Sequence, residues 1–140
     1  MQQEHGRYIL DDSPARIDFA AVQAWLAKAY WCKGITCEAV ERAAQGSALV
    51  MGAYLDGRQV GYLRIISDKA TFGYLSDIFV DEAHRGLGIA RAMVRFALEH
   101  PDFQGFRRWA LTTMDAQGVY AELGFKPLGD PIWWMEKLSK

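Results

Sequence analysis

Two glycines and two arginines between residues 85 and 91 have types and spacing suited to binding an anion. The segment reads Arg85-Gly86-Leu87-Gly88-Ile89-Ala90-Arg91, after an apolar stretch and before an apolar stripe of helical period. The first turn of a helix leaves backbone N–H groups without partners, and the helix dipole adds partial positive charge there. Glycines let an anion approach that backbone closely. The pattern therefore predicts a phosphate-binding turn between a strand and a helix.

Two common glycine-rich phosphate motifs do not fit this segment. A nucleotide-binding P-loop ends in Gly-Lys-Ser/Thr, whereas the segment continues as Gly88-Ile89-Ala90. A dinucleotide fingerprint, Gly-x-Gly-x-x-Gly, would need a third glycine where Arg91 stands. That fingerprint also follows the first strand of a parallel sheet, and this segment follows the fourth predicted strand. Both classes of nucleotide site are excluded.

Apolar periodicity and turn residues predict the strands that position the segment. The predicted strands are residues 8–10, 48–55, 59–66, 71–80, 109–113 and, closing the chain, 133–138. Asp56-Gly57 joins the second and third strands, and this pair is typical of a type I′ hairpin turn because both residues tolerate positive φ. The first half of the sheet is therefore expected to be mainly antiparallel, with βαβ units in the second half.

Capping residues and glycines delimit four predicted helices. Asp18 is expected to cap a helix that ends near Gly34, and Thr36 a shorter one that ends at Gln45. A third helix is predicted from Gly86 or Leu87 to residue 99. The fourth, over residues 116–123, is expected to be capped by Asp115 and ended by Gly124.

Composition narrows the function classes. The chain has 140 residues, a net charge of −1 and two cysteines. The length predicts a single domain that spans residues 1–140, and two cysteines are too few for a disulfide framework, so two unpaired thiols are expected. The near-neutral charge argues against a nucleic-acid partner, and no apolar run is long enough for a membrane span. The N-terminus lacks a signal-peptide pattern, so a cytoplasmic location is expected. The scattered histidines predict no metal site.

Two motifs in the correct order resemble those of the GNAT N-acetyltransferase superfamily. The family signature Gln/Arg-x-x-Gly-x-Gly/Ala is matched from Arg85 to Ala90, and the preceding Ile78-Phe79-Val80-Asp81 looks like the family's fourth strand. Residues 115–125, which contain Tyr120 and Gly124-Phe125, look like its terminal helix. The resemblance implies an α/β (α+β) fold in which a mixed central sheet, with splayed fourth and fifth strands, is flanked by helices.

The resemblance also implies the cofactor, the reaction and the residues that would serve them. Acetyl-CoA would be the co-substrate, and the acceptor a primary amine that attacks directly in a ternary complex. The pantetheine arm and pyrophosphate would be held by Ile78, Phe79, Val80, Arg85, Gly86, Leu87, Gly88, Ile89, Ala90 and Arg91. Tyr120 is the expected proton donor to the departing thiolate, and Asp77 the expected base or relay.

Several alternatives stay open at this point. Tyr120 could be a packed aromatic, and Asp77 could be structural or bind the ammonium group of the acceptor. Tyr30 and Trp31 are candidates for lining the acceptor pocket, and a small molecule fits the near-neutral charge better than a basic protein tail. A homodimer is possible. The same fold could also serve as a non-catalytic acyl-CoA-binding or interaction module.

Overall fold

A six-stranded sheet in the order β1-β2-β3-β4-β5-β6 lies at the centre of the computed structural model, which describes residues 1–139. The strands are Gln2–His5 (β1), Tyr8–Asp11 (β2), Leu49–Leu55 (β3), Arg58–Ser67 (β4), Phe72–Val80 (β5) and Arg108–Ala110 (β6). All neighbours are antiparallel except β5 and β6, which are parallel. The expected mixed sheet is therefore confirmed, with β5 and β6 as the strands predicted to be fourth and fifth.

Helices cover both faces of this sheet. They are Phe19–Leu26 (α1), Cys37–Gln45 (α2), Ile89–Glu99 (α3) and Gln117–Ala121 (α4). Short 3-10 turns occur at Pro14–Arg16, Glu82–His84, Pro101–Phe103 and Pro131–Trp133. Successive strand side chains point to opposite faces. Met51 accordingly packs in the cluster that contains Met93 of α3, while Val50 packs in the cluster that contains Val22 of α1.

Local sequence signals at the turns and helix starts act as predicted. Asp56 and Gly57 both have positive φ, at 51° and 81°, as a type I′ turn requires. Asp18 accepts a hydrogen bond from the backbone N–H of Ala21 at 3.1 Å, and Thr36 accepts one from the N–H of Ala39 at 3.2 Å. These contacts depend only on residues a few positions apart, which is why the sequence reveals them.

The first helix is shorter than its periodicity predicted. It ends at Leu26, and residues 27–34 form successive turns that close through a 2.9 Å bond from the N–H of Gly34 to the carbonyl oxygen of Ala27. Within these turns, the side chains of Tyr30 and Trp31 bond to Met114 and Asp77 on distant elements. These tertiary contacts outweigh the local helical preference.

Two further expectations were wrong, and one strand was not predicted. Asp115 does not cap α4: its N-cap is Ala116, no side chain caps the helix, and the hydroxyl of Thr113 accepts from the N–H of Ala116 at 3.0 Å. The segment predicted as a closing strand, residues 133–138, pairs with no strand among the described residues, because a strand requires a partner that local sequence does not supply. Conversely, β1 was missed because its residues are polar; it forms by hairpin pairing with β2.

Candidate active site

A glycine-containing turn leads from β5 into α3, as predicted. Gly86 and Gly88 have φ of 81° and 77°, a backbone conformation that favours glycine. In the described part of the chain, the N–H groups of residues 86–91 make no hydrogen bond. A Cβ atom placed on Gly86 would meet no heavy atom within 4 Å. The turn therefore has open space at Gly86 and leaves a series of backbone N–H groups without partners at the start of an eleven-residue helix, an arrangement that fits a phosphate group.

The two arginines of this turn brace it by different contacts. Arg85 donates from Nε to the carbonyl oxygen of Val80 at 2.9 Å, and its guanidinium lies over the ring of Phe79. Arg91 pairs with Glu122 at 2.7 Å, just beyond α4. The ion pair links the glycine-containing turn, residues 85–91, to the helix that carries Tyr120.

Two histidines that the sequence analysis did not single out also support the turn. The ring Nε2 of His5, on β1, lies 2.9 Å from the carbonyl oxygen of Leu87. The ring Nδ1 of His84 lies 2.9 Å from the hydroxyl of Tyr8, on β2. The β1–β2 hairpin therefore contacts the turn and the segment before it through these two side-chain pairs. Sequence offered no signal for these pairs, because their partners are more than 75 positions apart.

The splay predicted between the two parallel strands lies next to this turn. Pairing between β5 and β6 covers three positions and stops at Tyr74 and Ala110, so residues 75–80 have a free edge on that side. Two cavities of about 700 and 660 Å³ occupy the resulting cleft. The larger one is lined by residues 78–80, Arg85, Gly86 and residues 88–91, so nine of the ten predicted cofactor-binding residues border one cavity, whereas Leu87 does not. The smaller one lies on the side of Asp77 and Tyr74.

Tyr120 lies where these two cavities meet, since it lines both. Its ring packs edge-on against Phe125 at 6.2 Å between centroids. Burial raises the pKa of the Tyr120 phenol above its usual value, and the neighbouring Tyr30 and Asp115 add to the effect. No described residue hydrogen-bonds to its hydroxyl. The geometry leaves that hydroxyl protonated and available to a group in the cleft.

Asp77 lies at an irregularity in β5. The β4–β5 register shifts between Tyr62 and Arg64, so β5 carries one extra residue there, and Asp77 has a φ of 54°. Its side chain is only 8% exposed and receives Arg64 Nε on one oxygen, at 2.7 Å. The other oxygen receives the indole N–H of Trp31 at 2.9 Å. Both carboxylate oxygens are therefore engaged. Arg64, which was not predicted, could have been found as the charged residue inside an apolar strand.

Tyr30 and Trp31, which were predicted to line an acceptor pocket, reach across the cleft. The hydroxyl of Tyr30 accepts from the N–H of Met114, beyond β6, at 2.9 Å, while Trp31 bonds to Asp77 on β5. The two rings contact each other edge-on at 5.0 Å, and both line both cavities. This aromatic pair connects the two splayed arms of the sheet.

Other features of the described residues, 1–139, concern metals, thiols and membranes. They contain no group of three or more His, Cys, Asp or Glu side chains arranged to hold a metal ion. Cys32 and Cys37 are free, as expected. No helix in this range has both the length and the apolar character needed to cross a bilayer.

Comparisons with known proteins agree with this geometry. The model of the acetyltransferase (GNAT) family matches residues 16–125. A Gibberella zeae protein named as an acetyltransferase is 29% identical over 145 aligned residues, covering 86% of this chain and 80% of that protein. Human N-acetyltransferase 8B is 42% identical over 63 residues, covering 42% of this chain and 28% of the human protein. The crystal structure of a Xanthomonas campestris protein, described as an acetyltransferase of the GNAT family, superposes with a TM-score of 0.91 at 39% identity. That match covers 98% of this chain and 95% of the other.

Proposed function

Because the chain belongs to the acetyltransferase (GNAT) family, we propose that it transfers the acetyl group of acetyl-CoA to a primary amine of a small molecule. The observation that carries the proposal is the meeting of two cavities at Tyr120, one of them bordered by a row of free backbone N–H groups. The named acetyltransferases among its relatives support the same reaction.

The larger cavity is the proposed site of the acyl donor. The N–H groups of residues 86–91 would donate hydrogen bonds to the pyrophosphate oxygens, since they lack partners and stand at a helix start. The free edge of residues 78–80 would pair with the amides of the pantetheine arm, as an added strand pairs with a sheet edge. Both groups line the same cavity, so one extended molecule can contact them together.

The smaller cavity is the proposed site of the acceptor. Its walls combine the aromatic rings of Tyr30, Trp31 and Tyr74 with the Arg64–Asp77 ion pair. A volume of about 660 Å³ is in the range of small-molecule pockets, and a net charge of −1 supplies no broad acidic surface for a basic protein. These properties favour a small amine.

The reaction we propose is a direct attack. The ammonium group of the acceptor first loses one proton to solvent, with Asp77 as the base or as part of a water relay. The neutral nitrogen then bonds to the thioester carbon, the carbon–sulfur bond breaks, and the sulfur receives a proton from the Tyr120 hydroxyl. The surplus proton on the newly bonded nitrogen passes through solvent to the Tyr120 phenolate, which restores the phenol. Binding both substrates in one cleft supplies the proximity that such a transfer needs.

An acceptor panel tests this proposal. The protein is incubated with acetyl-CoA and each of a set of small primary amines, and release of free CoA thiol is followed, with reactions lacking amine as the blank. We expect amine-dependent thiol release and an acetylated product of matching mass. CoA binding without product from any amine would instead indicate a binding module, and absence of CoA binding would indicate an interaction protein.

A further inference from the structure

Asp115 is a carboxylate without a partner at the place where the two cavities meet. It lines both the larger and the smaller cavity, as Tyr120 does, and it is exposed. Its side chain caps no helix, and within residues 1–139 no hydrogen bond or ion pair engages its carboxylate. Both carboxylate oxygens are therefore available to a ligand in the cleft.

Asp77 and Asp115 differ in what their oxygens already bind. Asp77 lines only the smaller cavity, and its two oxygens accept hydrogen bonds from Arg64 and Trp31. The Arg64 guanidinium also compensates its charge. Asp115 lacks such a cation, and among the described residues it is the one acidic side chain that lines the larger cavity. The uncompensated negative charge of the cleft walls therefore lies at the junction, where the proposed acyl transfer takes place.

Aromatic rings lie next to this carboxylate. The hydroxyl of Tyr30 accepts a hydrogen bond from the N–H of Met114, which directly precedes Asp115. The ring of Tyr30 in turn contacts that of Trp31 edge-on. After burial and Tyr30, the Asp115 carboxylate is a third cause of the raised pKa of the Tyr120 phenol, so its charge acts on that hydroxyl. A carboxylate attracts an ammonium ion, and so do the faces of aromatic rings. This combination of negative charge and aromatic surface suits a cationic amine.

We propose that Asp115 binds the ammonium group of the acceptor at the junction, with the rings of Tyr30 and Trp31 beside it. The inference rests on the proposed acetyl transfer, and it assigns the acceptor to the amines that are protonated at neutral pH. Binding the nitrogen as a cation brings it next to Tyr120 before it loses its proton to solvent. The neutral nitrogen then starts its attack from a position beside the thioester, which supplies the proximity that the transfer requires.

Nucleophiles of the same shape and different charge test the inference. Ethylamine and phenethylamine are protonated at neutral pH. O-Methylhydroxylamine and O-benzylhydroxylamine, in which oxygen replaces the carbon next to the nitrogen, are neutral there. Release of free CoA thiol at saturating acetyl-CoA gives kcat/KM for each nucleophile, with reactions lacking protein as the blank. Asp115→Asn keeps the size of the side chain and removes its charge. We expect this variant to lower kcat/KM at least about tenfold for the two amines and less than about twofold for the two oxyamines.

Two control variants isolate the charge at this position, and circular dichroism checks that each variant is folded. Asp115→Glu keeps the charge and should recover part of the lost activity with the amines. Asp102→Asn removes an exposed carboxylate that lines neither cavity and should behave as the parent does. Equal effects of Asp115→Asn on amines and oxyamines, or a parent that uses only the oxyamines, would overturn the inference and leave acetyl transfer intact. No thiol release with any of the four nucleophiles would contradict the proposed function, and the inference with it.

Discussion

The hydroxyl of Tyr120 combines the properties that a proton donor to a thiolate needs. It borders both cavities, and its surroundings raise its pKa mainly through burial. A raised pKa makes the phenol a weaker acid, but it keeps the phenol protonated throughout the pH range of an activity assay. The stabilisation of developing negative charge on sulfur through a hydrogen bond is therefore its expected contribution, with full transfer completed as the thiolate departs.

Tyr120→Phe should slow the chemical step by roughly tenfold or more while leaving CoA affinity nearly unchanged, because it removes one oxygen and keeps the ring. Single-turnover rates with acetyl-CoA and with a thioester of a more acidic thiol give the comparison. The deficit should shrink with the better leaving group. It should also be constant between about pH 7 and 9, since the raised pKa keeps the parent phenol protonated there. Equal chemical rates for both proteins would reduce Tyr120 to a packing residue.

Two roles are proposed for Asp77, and its two hydrogen-bond partners allow substitutions to distinguish between them. Its charge faces Arg64, and its second oxygen holds the indole of Trp31. As a base or relay it would act through charge. As a holder of the aromatic wall it would act through the indole bond, and the wall would then position the acceptor.

Asp77→Asn keeps an acceptor for the indole and removes the charge, whereas Trp31→Phe keeps the charge and removes the indole N–H. If Asp77 acts as base or relay, Asp77→Asn should lower kcat by roughly 10²–10⁴ with little effect on the KM of acetyl-CoA. Trp31→Phe should then mainly raise the KM of the amine. Steady-state kinetics on the two variants decide between the roles: parent-like kcat in Asp77→Asn, together with a raised amine KM in both variants, would make Asp77 a positioning residue.

At the scale of the elements, the turn between β5 and α3 depends on two glycines in the left-handed backbone conformation. Gly88 has φ 77° and precedes the first residue of α3 as its N-cap, and its nearest side chains are those of His5 and Arg91. A side chain at this position would have to adopt the same left-handed backbone conformation, which costs about 1 kcal/mol of conformational free energy relative to glycine. Only an acidic side chain also repels a phosphate, so substitutions at this one position separate strain from electrostatics.

Gly88→Glu should weaken CoA binding by at least about 100-fold, whereas Gly88→Ala should weaken it less than about tenfold, because both share the backbone strain and only the first adds a negative charge at the helix start. Isothermal titration with CoA measures both, and circular dichroism checks that each variant is folded. Similar affinities for the glutamate and alanine variants would remove the pyrophosphate from this turn.

Elements were predictable from sequence where local contacts determine them. The Asp56-Gly57 turn and the caps at Asp18 and Thr36 involve neighbours in the chain, and all three were found. Asp115 was wrongly expected to cap α4, since the N-cap is Ala116 and no side chain caps this helix. The hydroxyl of Thr113 accepts from the N–H of Ala116 just before the helix, and local sequence does not reveal which nearby polar side chain makes that contact.

At the scale of the whole molecule, the sequence predicted the cleft between the two parallel strands, but it did not predict the hydrogen bonds within that cleft. The family motifs predicted the splay between the two parallel strands and the residues on either side of it. The bonds from Tyr30 to Met114 and from His5 to Leu87 each join residues more than 80 positions apart. No periodicity or spacing within the sequence carries information about such pairs, so these contacts required the structure.

Since the cleft walls are two strands that separate beyond Tyr74 and Ala110, a ligand held between them should stabilise the whole fold. CoA at about 100 times its Kd should add about 2.7 kcal/mol to the free energy of unfolding. For a chain of this size, that amounts to a rise in Tm of roughly 5–10 °C.

Hydrogen exchange measured in parallel should slow at residues 86–91, whose N–H groups are free without ligand, and at residues 78–80. Pantetheine, which lacks the pyrophosphate, serves as the matched ligand: it should protect residues 78–80 and leave residues 86–91 exchanging as in the free protein. Protection by CoA that spares residues 86–91 would place the nucleotide elsewhere. No Tm shift at millimolar CoA would mean that the cleft does not bind this donor, because linkage requires that any ligand selective for the folded state raise its stability.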